Sequence, residues 1–384
     1  MYHSEDESSL GSTTGREHFG MSTLLIDGPS AAALEGAEPQ RYGKDEGFLQ
    51  ELRTRVLKQI EANGQPARGL PVLYVKTAVL FLWLAASYLL LVFAAQTAWQ
   101  AVPLAVSLAL AIAGIGFNVQ HDGSHGSYST RPAVNRLMAR TLDLLGGSSF
   151  VWQRKHNVLH HTWPNVEGVD DDIDTGSLAR LSPEQPRRFY HRFQHLYMWP
   201  LYCFLTVKWQ LVDDFATVIR GRMSGRPFPR PRGTELVVFL GGKLVFFALA
   251  FGLPLLRHSA WTVVGTYLLV AAVAGLTLSV VFQLAHCVPE AETGPELGSW
   301  AARQVQSSVD FARDSRLLNW YVGGLNLQIE HHLFPQISHP HYAGIAPVVE
   351  ATCREFGVRY TAHPTFAAAV AAHFRQLRAL GRSD

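Results

Sequence analysis

The sequence is poor in charge and in cysteine. Only 17% of its 384 residues are charged, whereas 48% are hydrophobic, and this balance favours a membrane protein over a soluble one. The 33 basic residues nearly cancel the 31 acidic ones, which argues against nucleic acid as a partner. Three widely spaced cysteines, Cys203, Cys287 and Cys353, show no disulfide or metal-binding pattern. We expect them to be free thiols in a reducing compartment.

The beginning of the chain lacks the pattern of a folded segment. Residues 1 to about 45 show no apolar period, and no positive charge precedes a hydrophobic core there. We therefore predict a disordered N-terminal tail rather than a signal peptide. In residues 46–70, apolar side chains recur at helical spacing and predict an amphipathic helix. This helix could lie at the membrane interface or pack against the protein's own core, and the sequence favours neither.

Four long apolar runs predict an all-α integral membrane protein. They cover about residues 77–95, 101–119, 236–256 and 261–284, and each is long enough to cross a bilayer as a helix. Short links join them in pairs, which predicts two hairpins. Basic residues before the first run place both termini in the cytoplasm by the positive-inside rule. Residues 121–235 and 285–384 would then form a cytoplasmic helical cap.

One charged residue interrupts the third run. Lys243 is costly in lipid unless it reaches the interface or a polar interior. We expect it to snorkel to the interface, or to mark a displaced span boundary, rather than to take part in catalysis.

Histidines are concentrated at the cytoplasmic ends of the second and fourth runs and on nearby polar segments. Several are four residues apart, a spacing that places two side chains on one face of a helix. Imidazole is a common neutral ligand for transition metals. Eight imidazoles without cysteine ligands exceed what one zinc needs and favour two metals with open positions, with an oxygen-activating pair of irons as the strongest candidate. The eight are His121, His125, His156, His160, His161, His286, His331 and His332.

The segments HDGSH, HNVLHH and QIEHH resemble, in this order, the three histidine boxes of the membrane fatty acid desaturases. Gln328 replaces the first histidine of the third box, which is typical of front-end (delta-5/delta-6-like) desaturases. These enzymes insert a double bond between an existing one and the carboxyl end. The resemblance covers about residues 71–360 and implies a membrane desaturase domain over 71–384. It also implies that the eight histidines bind two iron ions, that O2 is a co-substrate, and that the substrate is an acyl chain carried as a thioester or a lipid.

Further residues are expected around this centre. The resemblance implies that Gln328 is a weak ligand or a hydrogen-bonding neighbour. In related desaturases an Asn near the histidine of the fourth span reaches the metal through water, and Gln283 is the nearest candidate here. A carboxylate of the acidic run after the second box could orient a ligating imidazole through its other ring N–H. We expect one or two of four to do so: Asp170, Asp171, Asp172 and Asp174. Six histidines outside the boxes are expected to be ordinary surface or interfacial residues: His191, His195, His339, His341, His363 and His373.

The electron donor is expected to be a separate protein. Eukaryotic front-end enzymes usually carry a fused cytochrome b5 domain with an HPGG haem motif, and these 384 residues contain no HPGG. The resemblance therefore implies a ferredoxin or a free cytochrome b5. A group of arginines could form its docking surface, although the positive-inside rule explains them equally well: Arg187, Arg188, Arg192, Arg220, Arg222, Arg226, Arg230 and Arg232.

Two alternatives to a desaturase remain open. The same box architecture is similar to that of membrane hydroxylases, ketolases and acetylenases, which form other products. A metal transporter or sensor is a more distant alternative, since it predicts ionisable groups deep inside the spans and only Lys243 fits. For a desaturase, an unactivated methylene offers no acidic proton, so the protein must position the chain and exclude water. This requirement predicts a closed apolar tunnel that measures distance from the head group.

Overall fold

The computed structural model describes residues 42–223, 225–294 and 298–383. The tail predicted for residues 1 to about 45 thus lies almost entirely outside the described residues. Within them the chain is mostly helical. The α-helices are α1 (Phe48–Ala62), α2 (Pro71–Leu89), α3 (Ala98–Ile115), α4 (His121–His125), α5 (Pro132–Ala139), α6 (Thr141–Leu144), α7 (Ser149–Trp152), α8 (Gln194–Tyr202), α9 (Leu205–Lys208), α10 (Asp214–Arg220), α11 (Thr234–Phe247), α12 (Leu253–Leu255), α13 (Ala260–His286), α14 (Trp300–Gln306), α15 (Arg316–Tyr321), α16 (Gln328–Leu333), α17 (Tyr342–Glu355) and α18 (Phe366–Leu380).

Short π-helical, 3-10 and extended segments complete the described structure. The π-helical turns are Leu90–Ala94, Gly116–Gln120, Gln153–His160, Trp209–Asp213 and Ala248–Gly252, and the 3-10 turns are Phe189–Phe193 and His339–His341. Strands β1 (Arg222–Met223) and β2 (Arg226–Pro227) pair antiparallel, whereas β3 (Asp310–Phe311) and β4 (Ala362–His363) pair parallel. Two of the π-helical turns carry or precede box histidines, as is common for π-bulges at functional sites.

Four helical stretches in the described part of the chain are long and apolar enough to cross a membrane. We call them spans 1 to 4: Pro71–Ala94, Ala98–His125, Thr234–Leu255 and Ala260–His286. Each of the four predicted runs overlaps one of them. Span 1 begins at Pro71 rather than at residue 77, because proline suits the first helical turn and the charge of Lys76 is buried within the protein.

Spans 2 and 4 form the inner pair. Their most apolar windows are 56% and 44% buried, against 22% for span 1 and 17% for span 3. Helix α3 of span 2 packs against both α2 and α13. The two spans that end in predicted ligand histidines are therefore the two with the largest buried share.

Helix α1 packs on the protein's own core. Phe48, Leu52, Val56 and Ile60 are buried and belong to one hydrophobic cluster with residues of α14, α16 and α17. Of the two arrangements that the sequence left open, the structure therefore shows the second. Because α16 carries the third histidine box, the packing of α1 in this cluster supports the box.

The expectation that Lys243 snorkels or marks a span boundary is wrong. Its side chain is buried inside the protein, where Nζ lies 2.7 Å from an Asp214 carboxylate oxygen. Nζ also donates to the carbonyl oxygens of Gly146, at 2.7 Å, and Gln210, at 3.1 Å. The segments outside the spans thus supply the partners that lipid could not, and the ammonium ties span 3 to them.

Replacing Lys243 with Met should lower the free energy of unfolding by about 3–5 kcal/mol at pH 8, because the Asp214 carboxylate would remain buried without its cation. Burial already raises the pKa of Asp214 to about 6 against the opposing effect of Lys243. An acid whose pKa is raised by folding takes up a proton more readily in the folded state, so the buried carboxylate is neutralised as the pH falls to 5.5. The decrease in unfolding free energy caused by Lys243→Met should therefore be smaller at pH 5.5 than at pH 8. Thermal unfolding in detergent measures both effects. The double variant Lys243→Met, Asp214→Leu should recover most of the loss, and an unchanged melting temperature in the single variant would contradict the ion pair.

Candidate metal centre

The structure brings all eight predicted histidines together at one end of the spans. They come from the end of span 2, the π-helical turn Gln153–His160 with His161, the end of α13, and α16. Candidate ligand atoms within 4.8 Å of one another define two groups of imidazoles alone, and a third group joins His156 and His160 with the Asp172 carboxylate. The first nitrogen cluster contains His121, His125, His156 and His331, and the second contains His160, His286 and His332.

His161 lies between the two clusters. Its Nε2 is 3.0 Å from His331 Nε2 and 3.3 Å from His156 Nε2, both in the first cluster. Its ring also stacks on that of His332 in the second cluster, with centroids 4.5 Å apart. The eight imidazoles therefore form one continuous double site.

The glycine of the first box permits the packing that holds its histidines. A Cβ on Gly123 would lie 2.5 Å from the backbone nitrogen of Ala139 and 2.7 Å from the Cβ of Met138. Helix α5 could not then approach α4. Since α4 carries both His121 and His125, the close contact with α5 positions the helix that presents both imidazoles.

The imidazoles fit a site for metal cations. Seven of the eight are buried, and His125 is partly exposed. Ring nitrogens face each other at short range, as at 3.1 Å between His121 Nε2 and His156 Nε2. Two lone pairs at this distance repel each other unless a proton or a cation lies between them. The buried nitrogens His125 Nε2 and His160 Nε2 have no hydrogen-bond partner in the described structure, which a bound metal would supply.

The protonation states of the imidazoles agree with this interpretation. Burial lowers the pKa of His156, His161, His331 and His332 well below the ordinary histidine value. These rings are therefore neutral and keep a lone pair for a metal. His160 differs: burial opposes its protonation, but the charge and hydrogen bond of Asp170 outweigh burial and raise its pKa.

Several imidazoles are held by a polar partner at their outer ring nitrogen, Nδ1, as ligating histidines usually are. Asp170 is buried and its carboxylate lies 3.0 Å from His160 Nδ1. The Nδ1 of His332 is 2.9 Å from Gln304 Oε1. The Nδ1 atoms of His286 and His331 lie 3.2 Å from the Ser307 carbonyl oxygen and 3.3 Å from the Tyr342 hydroxyl. The box pattern gave no signal for Gln304, Ser307 or Tyr342, because they come from segments outside the boxes.

The four aspartates of the acidic run have different surroundings. Asp172 lies 3.6 Å from His160 Nδ1 and 3.2 Å from Lys155 Nζ. Asp171 pairs with Lys155 at 2.9 Å. Asp174 is exposed, and its carboxylate accepts a hydrogen bond from the Gly176 backbone. Only Asp170 and Asp172 of this run thus approach a box imidazole in the described contacts.

The two glutamines also differ. Gln328 is buried, and its Nε2 lies 3.0 Å from His286 Nε2 in the second nitrogen cluster. The Oε1 of Gln283 is buried and has no hydrogen-bond partner among the described residues. Gln328 therefore borders the site directly, whereas no described contact joins Gln283 to it.

The expectation of ordinary surface histidines outside the boxes is wrong for five of the six. His191, His195, His339, His341 and His373 are buried, and His363 is partly exposed. The clearest correction is His339, whose Nδ1 lies 2.8 Å from an Asp122 carboxylate oxygen. Its Nε2 lies 3.0 Å from Lys76 Nζ. The turn after the third box therefore lies between span 1 and the first box, where polar partners satisfy both ring nitrogens.

Two connected cavities lie between the spans, and only one of them is lined by a histidine of the first nitrogen cluster. A small one of about 40 Å³ is lined by Gly116, His121, Trp152 and Phe282, among others. It shares four lining residues with an apolar groove of about 760 Å³ between the spans: Ile112, Leu145, Thr206 and Gln210. The side chains of Trp152 and Phe282 lie against His156, with ring centroids 4.4 and 6.0 Å away. An apolar path thus leads from within the spans to the imidazoles.

Comparison with known proteins gives a consistent set of matches. The family model described as fatty acid desaturase matches residues 97–364. The sn-1 linoleoyl-lipid 6-desaturase of Arthrospira platensis is 37% identical over 343 residues, covering 88% of this chain and 93% of that protein. The protein of the same name from Synechocystis sp. is 36% identical, covering 91% and 99%. The acyl-lipid (8-3)-desaturase of Physcomitrium patens is 35% identical, covering 92% and 75%.

Proposed function

Since this chain belongs to the fatty acid desaturase family, we propose that it inserts a cis double bond into a lipid-bound acyl chain, between an existing double bond and the carboxyl end. It is a front-end fatty acyl desaturase and therefore an oxidoreductase. The observation that carries the proposal is the pair of nitrogen clusters at the end of an apolar path. Gln328 supports the front-end assignment, because it borders the second cluster where other desaturases carry a histidine.

In the membrane, spans 1 and 2 would form one hairpin and spans 3 and 4 another. The short links at residues 95–97 and 256–259 support this arrangement. The histidines would then lie on the cytoplasmic side, together with both termini, inside a cap formed by residues 121–235 and 285–384. The desaturase domain would extend over residues 71–384, which include the four spans and every residue of the nitrogen clusters.

The donor set suits two iron ions, one in each nitrogen cluster. Bound iron with O2 as co-substrate supplies the oxidation that removes two hydrogen atoms from neighbouring methylenes. The chain's own part is to hold neutral imidazoles in place and keep water away. Asp170 orients His160, and Gln304 orients His332. Trp152 and Phe282 cover His156 on the side of the acyl path. Electrons would come from a ferredoxin or a free cytochrome b5.

The acyl chain would lie in the apolar path with its methyl end inside the membrane. One face of α3 lines the path, with Ala98, Ala105, Leu108 and Ile112 on the groove and His121 beyond its inner end. His121 lies 16 residues after Ala105, or about 24 Å along the helix. Such depth suits a front-end reaction, because most of the acyl chain then lies on the methyl side of the reacting carbons.

The reaction can be tested by expressing the full chain with a ferredoxin and its reductase in cells supplied with defined unsaturated acyl substrates. Mass spectrometry should locate a new double bond on the carboxyl side of an existing one. A hydroxylated product, or a new double bond only on the methyl side, would contradict the proposal. Analysis of separate lipid classes and of acyl-thioesters should show that the product appears first on lipid.

Replacing Asp170 with Asn should weaken iron binding by about 10–100-fold, as is typical for the outer partner of a ligating imidazole. The amide keeps the shape of the side chain but loses the charge that orients His160. Iron retained against a chelator measures the change. Asp174→Asn is the matched control, since Asp174 is exposed and contacts the Gly176 backbone instead. Equal iron retention in both variants would show that Asp170 does not support a ligand.

A further inference from the structure

A second concave surface lies at the start of span 1, away from the two nitrogen clusters. This groove has a volume of about 540 Å³, and its lining includes Arg68, Tyr74, Ser129, Thr130 and Arg131. Two separate parts of the chain form it, one leading into span 1 and the other following the first histidine box. We call it the arginine groove.

The two guanidinium groups of the arginine groove form no ion pair with a described acidic residue. Arg68 Nη2 donates to the side-chain oxygen of Gln336 at 3.0 Å, and Arg131 is exposed. Burial lowers the pKa of Arg68, with no opposing carboxylate. Partial burial of a cation without an anion is unfavourable. An anionic ligand in the groove would offset this cost for Arg68, and Arg131 would pair with the same anion.

Hydroxyl groups complete the polar lining. Ser129 Oγ accepts hydrogen bonds from the Tyr74 hydroxyl, at 3.1 Å, and from the Arg131 backbone, at 3.2 Å. Because both of these bonds use the oxygen as acceptor, its own hydrogen remains available to a ligand. Two guanidinium forks and a hydroxyl donor are the groups that recognise phosphate oxygens.

The position of the groove indicates where the phosphate comes from. Arg68 lies just before the first residue of span 1, and Tyr74 is in the second turn of that span with 45% of its surface exposed. Tyrosine at the end of a span is typical of the headgroup level of a bilayer. Basic residues at this level attract anionic headgroups. A phospholipid beside the protein would therefore present its phosphate directly to the groove.

We propose that the arginine groove binds the phosphate of an anionic phospholipid headgroup. This site is separate from the nitrogen clusters and from the apolar groove between the spans, because it shares no lining residue with either. It does not depend on the reaction proposed above. The bound lipid would link the segment before span 1 to the segment that follows the first histidine box.

The test is a titration of the full-length protein in neutral detergent with phosphatidylglycerol, followed by native mass spectrometry. Arg68→Gln and Arg131→Gln should each weaken binding about fivefold, and the double variant about 25-fold, from about 1 kcal/mol per basic residue. Arg136→Gln is the matched control, since Arg136 is exposed on the neighbouring α5 but does not line the groove. Its affinity should equal that of the unmodified protein.

Two results would overturn the proposal. One is equal affinity for phosphatidylglycerol in the double variant and in Arg136→Gln. The other is full displacement of the lipid by millimolar inorganic phosphate, which would make the groove a site for free phosphate. Melting temperatures without added lipid confirm that the variants are folded, and Arg131→Lys should retain more affinity than Arg131→Gln. Because the readout is lipid binding, its failure would leave the desaturase proposal untouched.

Discussion

Replacing His332 with Ala is expected to abolish desaturation and to remove iron from the second nitrogen cluster. His332 Nε2 lies 3.3 Å from His286 Nε2, while its Nδ1 is held by Gln304, so alanine removes one of the three imidazoles of this cluster. The loss should exceed the about 10–100-fold effect typical of an outer hydrogen-bond partner. His160→Ala should behave alike, because His160 belongs to the same cluster. Product analysis and the iron content of the purified protein measure the two effects.

His363→Ala provides the matched control for the loss of an imidazole. His363 is partly exposed, lies 3.4 Å from a Glu290 carboxylate oxygen and belongs to neither cluster. This variant should keep its iron and its activity. A His332→Ala protein with full iron content and undiminished turnover would show that His332 is not a ligand.

Replacing Gly116 with Leu should lower turnover by at least about 100-fold while iron content stays unchanged, because the new side chain would occupy the acyl path. The cavity that Gly116 lines has a volume of about 40 Å³ and borders His121. It cannot hold both a leucyl side chain and the methylenes of a substrate. Loss of activity with full iron would separate acyl binding from metal binding, which the histidine variants cannot do.

Two control variants make this experiment specific. Gly116→Ala should keep most activity, since a Cβ there meets only Leu278 at 3.7 Å, an ordinary contact distance. Gly241→Leu adds the same bulk to span 3, where a Cβ would have no atom within 4 Å and no cavity wall is formed. Unimpaired turnover in Gly116→Leu would mean that the acyl chain reaches the imidazoles by another path.

The grouping of the eight histidines was predictable because seven of them lie in boxes, which are local patterns, and the eighth, His286, follows an apolar run. A spacing of three or four residues on a helix determines which side chains share a face, and apolar runs determine where the spans end. The structure accordingly places His121 and His125 at the end of span 2 and His286 at the end of span 4. Gln328 likewise lies beside the second nitrogen cluster, at the position its box suggests.

The partners of the histidines were less predictable, because they depend on contacts between distant segments. Gln304 meets His332 only after α14 packs on α16. His339 contacts Asp122 across 217 positions of sequence. Lys243 was wrongly expected at the interface for the same reason, since its partner Asp214 lies in a helix outside the spans. A pattern confined to neighbouring residues carries no information about such pairs.

The amphipathic pattern of α1 illustrates the same limit. Its apolar face would suit either a bilayer surface or a protein core, and only the cluster that it forms with residues such as Val349 of α17 distinguishes the two. Burial of Leu52 and Val56 is complete. The periodicity therefore predicted the helix and its buried face, but not the surface that covers this face.

The most direct test of a double metal site is the metal content of the purified, active full-length protein, measured by mass spectrometry of the elements against protein concentration. Two nitrogen clusters with four and three histidines, and His161 between them, predict two iron ions per chain. Both ions should be lost together with activity on chelation, and both should return together when ferrous iron is restored. A fully active protein with a single iron ion, or with zinc in place of iron, would contradict the account.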